Sequence, residues 1–189
     1  MPEFRPLTQD DWPLIEQLFG QRGACGGCWC MTWRVPKGGK YWEEHKGEPN
    51  RRAFRKLVES GHAHGTLALE GDRPVGWCSL GPREHFPRLD HSRTYDVPGP
   101  EGRWLISCFF IPPPHRGKGI GKGLLKAAIS EARRRHVPCL DAFPAKLPAS
   151  GKLPGAFVWT GVPSMFEKAG FDEITPKGQA RPVYRLALS

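Results

Sequence analysis

Hydrophobic residues recur along this chain with two periods, and glycine or proline marks most switches between them. Residues 4–7 read as a short strand. Thr8 followed by Asp11 is a helix-start signal, and Trp12, Leu14, Ile15 and Leu18 give the next segment one apolar face as far as Gly20. A second helix is expected after Pro49, capped by Asn50, with Phe54, Leu57 and Val58 inward and Gly61 at its end. Residues 64–70 and 74–80 flank Gly71-Asp72-Arg73 as the arms of a β-hairpin. Residues 104–111 form a strongly apolar strand. An amphipathic helix follows over 121–135, with Leu124, Leu125, Ala128, Ile129 and Ala132 on one face, and then another strand over 137–143. A short helix over 161–169 ends at Gly170, and residues 171–174 and 183–188 make a closing pair of strands. Residues 20–40, 81–102 and 144–160 show neither period and read as loops, with a helical turn expected over 41–45.

The resulting order, β-α-α-β-β-β-α-β-α-β-β, predicts an α+β fold built on one mixed sheet, and one domain over residues 1–189. Hydrophobic residues make up 39% and charged residues 25%, which excludes a disordered chain. No apolar run approaches the roughly 20 residues that span a bilayer, and the first residues lack a signal-peptide layout. A cytoplasmic protein without membrane partners is therefore expected, with its six cysteines reduced. Of these, Cys78, Cys108 and Cys139 lie in strand-like runs and read as small buried hydrophobes. The net charge of +9 favours a polyanionic partner. Nucleic acid and a phosphate-rich cofactor both fit that charge.

Residues 111–121, Ile-Pro-Pro-Pro-His-Arg-Gly-Lys-Gly-Ile-Gly, lie between the apolar strand and the amphipathic helix. Glycines let a ligand approach the backbone, and the first N–H groups of a helix have no internal partners. Together they make an anion cradle suited to a pyrophosphate, and Arg116, Lys118 and Lys122 add charge there. The glycine spacing is not that of a dinucleotide fold, and no Gly-Lys-Ser/Thr closes a Walker loop.

With Ile111, Pro113, Arg116, Gly119 and Gly121 in register, the loop resembles the coenzyme A loop of the GNAT superfamily of N-acetyltransferases. The later run Met165-Phe166-Glu167-Lys168-Ala169-Gly170-Phe171 resembles that family's second motif. The resemblance implies a mixed, mostly antiparallel sheet flanked by helices, and acetyl-CoA as cofactor. It further implies direct transfer of the acetyl group to an amine in a ternary complex. Phe109, Phe110 and Ile111 would pair with the pantetheine arm, and residues 116–122 (Arg116, Gly117, Lys118, Gly119, Ile120, Gly121, Lys122) would hold the phosphates. An N–H near Phe110 or Ile111 would face the developing oxyanion. Ser164 and Phe166 would lie beside the cofactor.

The pattern breaks at two places. Phe166 stands where the family commonly has a tyrosine that protonates the departing thiolate, so the acid is missing unless Ser164 or Thr160 positions a water. The strand over 104–111 also holds no carboxylate to serve as base. Asp141, on the following strand, is then the first choice for that role and His85 the second.

The resemblance also places the segment between the first helices on a wall of the acceptor pocket. There Cys28, Trp29, Cys30, Met31 and Trp33 would meet the substrate, together with Trp77. The segment 25–30, Cys-Gly-Gly-Cys-Trp-Cys, with Gly76-Trp77-Cys78 and Pro82-Arg83-Glu84, is similar to a set of bacterial members of the family. A zinc site normally needs four ligands, and no second Cys-x-x-Cys follows, so no metal is expected. The acceptor is expected to be a small-molecule amine, and an anionic group on it would be clamped by Arg83 or Arg93. Other roles consistent with the sequence are acetylation of a protein lysine or N-terminus, or non-catalytic acyl-CoA binding. Nucleic-acid binding rests on charge alone and is set aside. A monomer or a homodimer fits.

Overall fold

The fold is known from a computed structural model that describes residues 1–92, 95, 97–148, 158–179 and 181–188. Its elements follow the expected order: β1 (Glu3–Pro6), α1 (Trp12–Phe19), α2 (Lys40–His45), α3 (Glu48–Glu59), β2 (His64–Glu70), β3 (Arg73–Pro82), β4 (Trp104–Phe110), α4 (Ile120–Arg134), β5 (Cys139–Ala142), α5 (Pro163–Glu167), β6 (Asp172–Glu173) and β7 (Tyr184–Ala187). The described strands form one seven-stranded sheet in the order β1-β2-β3-β4-β5-β7-β6. Every neighbouring pair is antiparallel except β4 with β5. No helix is long and apolar enough to cross a membrane.

Helix α4 covers one face of the sheet. The five residues expected on its apolar side are all buried, together with Ile120, and they pack on Ile106, Leu140 and Phe166. Two glycines set how closely this helix lies. A Cβ on Gly76 of β3 would come within 2.8 Å of Ile120, and one on Gly123 would overlap the Phe4 ring of β1. Helices α1 and α3 cover the other face through Trp12, Ile15, Phe54 and Val58, which pack around Trp77.

Three expectations need correction. Helix α3 begins at Glu48 with Pro49 in its first turn, where a missing N–H is harmless. Asn50 is therefore not its cap; its side chain is buried and donates to the Gly27 carbonyl at 3.4 Å. The segment 81–102 is not simply a polar loop. Its 3-10 turns Arg83–His85 and Pro87–His91 bury Phe86 and Leu89 completely, in a small third cluster with Leu105 and Phe143. The long helix starts one residue earlier than expected, because Gly119 takes a left-handed conformation as its N-cap.

Trp77 has no room to move. Its ring lies directly over Gly65, where an added Cβ would sit 1.9 Å from the indole. Gly65→Ala should therefore destabilise the protein by about 1–3 kcal/mol through overpacking. Urea unfolding should show a lower midpoint with an unchanged slope; an unaltered midpoint would mean the indole can shift freely.

Candidate functional site

The site begins where two strands part. β4 and β5 pair in parallel only at Trp104–Leu140, Leu105–Asp141 and Ile106–Ala142, after which β4 continues without β5. Along that freed edge the Phe109 N–H donates to the Trp159 carbonyl at 2.6 Å. Strand amides alternate in direction, so Phe110 points its N–H toward β3 and Ile111 points its own to the same open side as Phe109. Of the two amides expected near an oxyanion, only that of Ile111 lies on the open edge.

The chain then turns through Pro113–His115 into the glycine loop. Arg116 folds back, its Nε donating to the Ile111 carbonyl at 2.8 Å. Gly117 and Gly119 have φ of +74° and +79°, which an L side chain adopts only with strain, and nothing lies within 4 Å of a Cβ at either. The N–H groups of residues 117–122 have no acceptor among the described residues, whereas Gly123 closes the first helical bond onto Gly119. Six consecutive amides at the start of α4 thus lack an acceptor among the described residues. Beside them, a groove of about 610 Å³ between α4 and α5 is lined by Lys122, Lys126, Arg133 and Lys168, with Ser164 and no carboxylate. Amides, positive-φ glycines and lysines together suit the phosphates of a nucleotide cofactor.

Across β4 lies a smaller cavity of about 170 Å³. Its aromatic walls are Phe19, Trp33, Trp42, Phe110 and Trp159, and its sulfurs are Cys25, Cys28, Cys30 and Cys108. A bulge shapes it: Ser79 pairs with Cys108 and Leu80 with Ile106, so Ser107 is the extra residue on β4. The bulge turns Ser107 and Cys108 onto the same cavity. Ser107 donates to the Ser79 hydroxyl at 2.9 Å.

Cys30 sits at the base of this cavity, 8% exposed, with φ of +59°, next to Trp29 at +43°. Two successive left-handed residues that are not glycine are costly, at roughly 1–2 kcal/mol each. They hold Trp29 in the core, stacked on Trp12 with ring centroids 5.7 Å apart, and direct Cys30 inward. The Cys30 sulfur accepts the Trp77 Nε1–H at 3.2 Å. Hydrogen bonds from the Cys108 thiol, Ser79 and Trp77, with the nearby Arg34 charge, pull its pKa below the ordinary thiol value despite burial. Burial, helped by Cys30, pushes Cys28 up to about 11, and Cys30 and burial together raise Cys108.

The other sequence-predicted residues disperse. Cys28, Cys30 and Trp33 reach the cavity, but Trp29 and Trp77 belong to the core behind it. Asp141 is not a free base. Its oxygens accept from Arg185 at 2.6 and 2.9 Å, Arg103 lies 3.5 Å away, and it is buried between strands. His85 stacks with His64 at 5.9 Å and lines a different cavity with Met31 and Arg34; burial and Arg34 lower its pKa. Arg83 pairs with Asp90 at 2.8 Å, away from the aromatic walls, and Arg93 lies outside the described residues. Arg88 takes the position near the cavity instead, over the rings of Trp33 and Trp42 at 5.8 Å each. Phe166 is wholly buried against Phe109, Phe171 and Tyr184, so it packs the core and offers no surface to a ligand. The sequence reading missed Cys108, Ser107, Phe19, Trp42 and Trp159. Only the bulge, which no local pattern announces, brings Cys108 out of the core.

The model of the acetyltransferase (GNAT) family matches residues 30–149, well over half of the chain. No curated protein sequence matches significantly. Among solved structures, the fold is similar to an N-acetyltransferase from Staphylococcus aureus Mu50, with a TM-score of 0.58 and 18% identity over 100% of this chain and 99% of that one. It is also similar to the yncA acetyltransferase from Salmonella typhimurium, solved with acetyl-CoA (TM-score 0.56, 16% identity, 100% and 94% covered). A third is the paia N-acetyltransferase from Thermoplasma acidophilum in complex with coenzyme A (TM-score 0.56, 15% identity, 99% of each chain covered).

Among the described residues no three His, Cys, Asp or Glu side chains are grouped to hold a metal. Protein purified without chelator should accordingly contain far less than one zinc per chain by elemental analysis, and chelator should not lower its melting temperature. One zinc per chain, lost in Cys28→Ser, would overturn this and make the early cysteines structural ligands.

Proposed function

Because the chain belongs to the acetyltransferase (GNAT) family, we propose that it transfers the acetyl group of acetyl-CoA to the amine of a small molecule, by direct attack with both bound. The observation that carries this reading is the row of unbonded amides over residues 117–122, opening beside a carboxylate-free basic groove. Acetyl-CoA supplies an acetyl group already activated as a thioester. The amides and Lys118 would hold the pyrophosphate, while Lys122, Lys126, Arg133 and Lys168 neutralise the remaining phosphate charge. The Ile111 N–H, on the open edge of β4, is placed to stabilise negative charge developing on a carbonyl oxygen.

The aromatic cavity supports a small amine over a protein lysine. About 170 Å³ between Trp33, Trp42 and Trp159 admits a compact apolar or aromatic body rather than an extended peptide. No carboxylate lines it, which argues against polycationic acceptors. Arg88 at its rim would meet an anionic group on the substrate. A cytoplasmic location accords with acetyl-CoA as cofactor and with six free cysteines. The test is thiol release from acetyl-CoA across a panel of amines. Acetylation of small aromatic or apolar amines well above lysine peptides is expected, and the reverse order would favour a protein acceptor.

No side chain at the second motif is ready to protonate a leaving thiolate. Phe166 cannot, and Tyr184 cannot serve either, because burial and its hydrogen bond to Glu167 raise its pKa. The Thr160 hydroxyl is buried and accepts from Arg181 at 2.7 Å, and an aliphatic alcohol is far too weak an acid for this role. A thiol with pKa near 8.5 is a fair leaving group unaided. Phe166→Tyr should therefore change turnover by less than about tenfold, or ~1.4 kcal/mol. A gain of a hundredfold would show instead that the native site lacks its acid. Gly119→Leu, which forces a side chain to φ near +79°, should weaken coenzyme A binding by at least about tenfold in calorimetry while the fold survives. Undiminished affinity would remove the cradle from the mechanism.

A further inference from the structure

We propose that Cys30 is the proton acceptor of the transferase: its sulfur, at the base of the aromatic cavity that Cys108 also lines, takes the proton the acceptor amine loses as it attacks. This rests on the transferase reading above and fills the role left vacant by Asp141 and His85.

The surroundings of Cys30 are built for a charged sulfur. A neutral thiol is a weak acceptor, yet the Trp77 indole N–H is aimed at this one at 3.2 Å, and the Cys108 thiol and Ser79 hydroxyl act in the same direction on its pKa. Ser107 donates to Ser79, which leaves the Ser79 proton for Cys30. The indole cannot turn away, because Gly65 and the core hold it. The Arg34 guanidinium is buried over the Phe86 ring at 4.7 Å, and its Nε and Nη2 have no hydrogen-bond partner among the described residues. A buried cation without a counter-charge is unfavourable, and a Cys30 thiolate supplies the counter-charge.

The titratable and charged groups facing Cys30 are few. Cys28 comes from the same loop, Arg34 from the turn that follows Cys30, Cys78 from β3 and Cys108 from β4. The three other thiols are raised and Cys30 alone is lowered, so Cys30 is the first sulfur of the set to ionise. The backbone strain at Trp29 and Cys30 is located where the sulfur meets the cavity.

In the proposed step the amine N–H bond breaks and an S–H bond forms on Cys30. The carbonyl carbon gains a C–N bond and loses its C–S bond, the electron pair leaving on the coenzyme sulfur. The Cys30 proton then passes to that sulfur or to water, which regenerates the thiolate. With the folded pKa lowered, the acceptor form persists above it, so activity should fall on the acid side at a pH below the ordinary thiol value.

The first measurement is on ligand-free protein. Titration of thiolate ultraviolet absorbance should show one thiolate at pH 7 in the native chain and none in Cys30→Ser. The second uses an amine that the native protein acetylates. Cys30→Ser should lower kcat by roughly a hundredfold or more with coenzyme A affinity unchanged, and Cys30→Asp should recover part of the loss. Cys108→Ala, which removes one donor, should move the acid limb of the rate profile upward. Absence of a thiolate at pH 7, or a loss within tenfold in Cys30→Ser, would overturn the proposal. So would acetylation of Cys30 by acetyl-CoA alone, seen as a mass increase on its peptide, because the sulfur would then be a nucleophile. Failure of coenzyme A to bind the native protein would strike the transferase reading and leave the thiolate titration standing by itself.

Discussion

The separation of β4 from β5 after three residue pairs is the constraint on which the site depends. A buried strand edge without a neighbour leaves backbone donors to be satisfied elsewhere. Here one is met by the Trp159 carbonyl, and the Ile111 amide beyond it has no acceptor among the described residues. The separation is held in place by charge. Asp141, opposite Leu105, binds Arg185 on β7 and lies against Arg103 before β4, so β5 is fixed at the level where pairing ends. Asp141 therefore matters to the site as an anchor of the sheet.

One strand then serves three directions. The bulge at Ser107 turns Ser107 and Cys108 toward the cavity, while Phe109 faces α4 and Phe166. The amide of Ile111 points along the open edge. The close seating of α4, permitted by Gly76 and Gly123, fixes its first turn and the row of amides relative to that edge. Substituting Gly76 or Gly123 would push the helix outward and shift the anion cradle away from the strand, so residues remote from any ligand set the cradle's position.

What could be read from the sequence follows from how each feature is assembled. The element order and the apolar face of α4 are periodic, and the anion cradle is made of consecutive residues, so each is visible locally. The cavity draws on α1, the cysteine loop, α2, β4 and the segment at Trp159, and no short window contains it. Trp29 and Trp77 were misplaced because a tryptophan near a pocket and one in the core beneath it have the same sequence signature. Cys108 alternates like a core residue until the bulge shifts its face. The segment 81–102 hides Phe86 and Leu89 among polar residues, which masks its anchoring.

The distribution of charge separates the two regions proposed to serve the reaction. Part of the basic excess of +9 gathers as four cations around the groove proposed for the cofactor. The cavity proposed for the acceptor is aromatic and has no carboxylate among its described lining residues, and Arg88 lies over two of its rings. An alkylammonium entering such a place gains some attraction from the ring faces, worth about 0.5–2 kcal/mol, but loses its hydration and meets a like charge. Both losses favour the neutral amine and lower its pKa, which is the direction catalysis requires. A carboxylate base would place a compact, strongly hydrated anion against aromatic rings, at a high cost in lost hydration. A thiolate spreads its charge over a large, weakly hydrated sulfur and sits more comfortably against indole rings. On the proposed reading, the walls that would select an apolar amine are thus the same ones that would suit sulfur as its base.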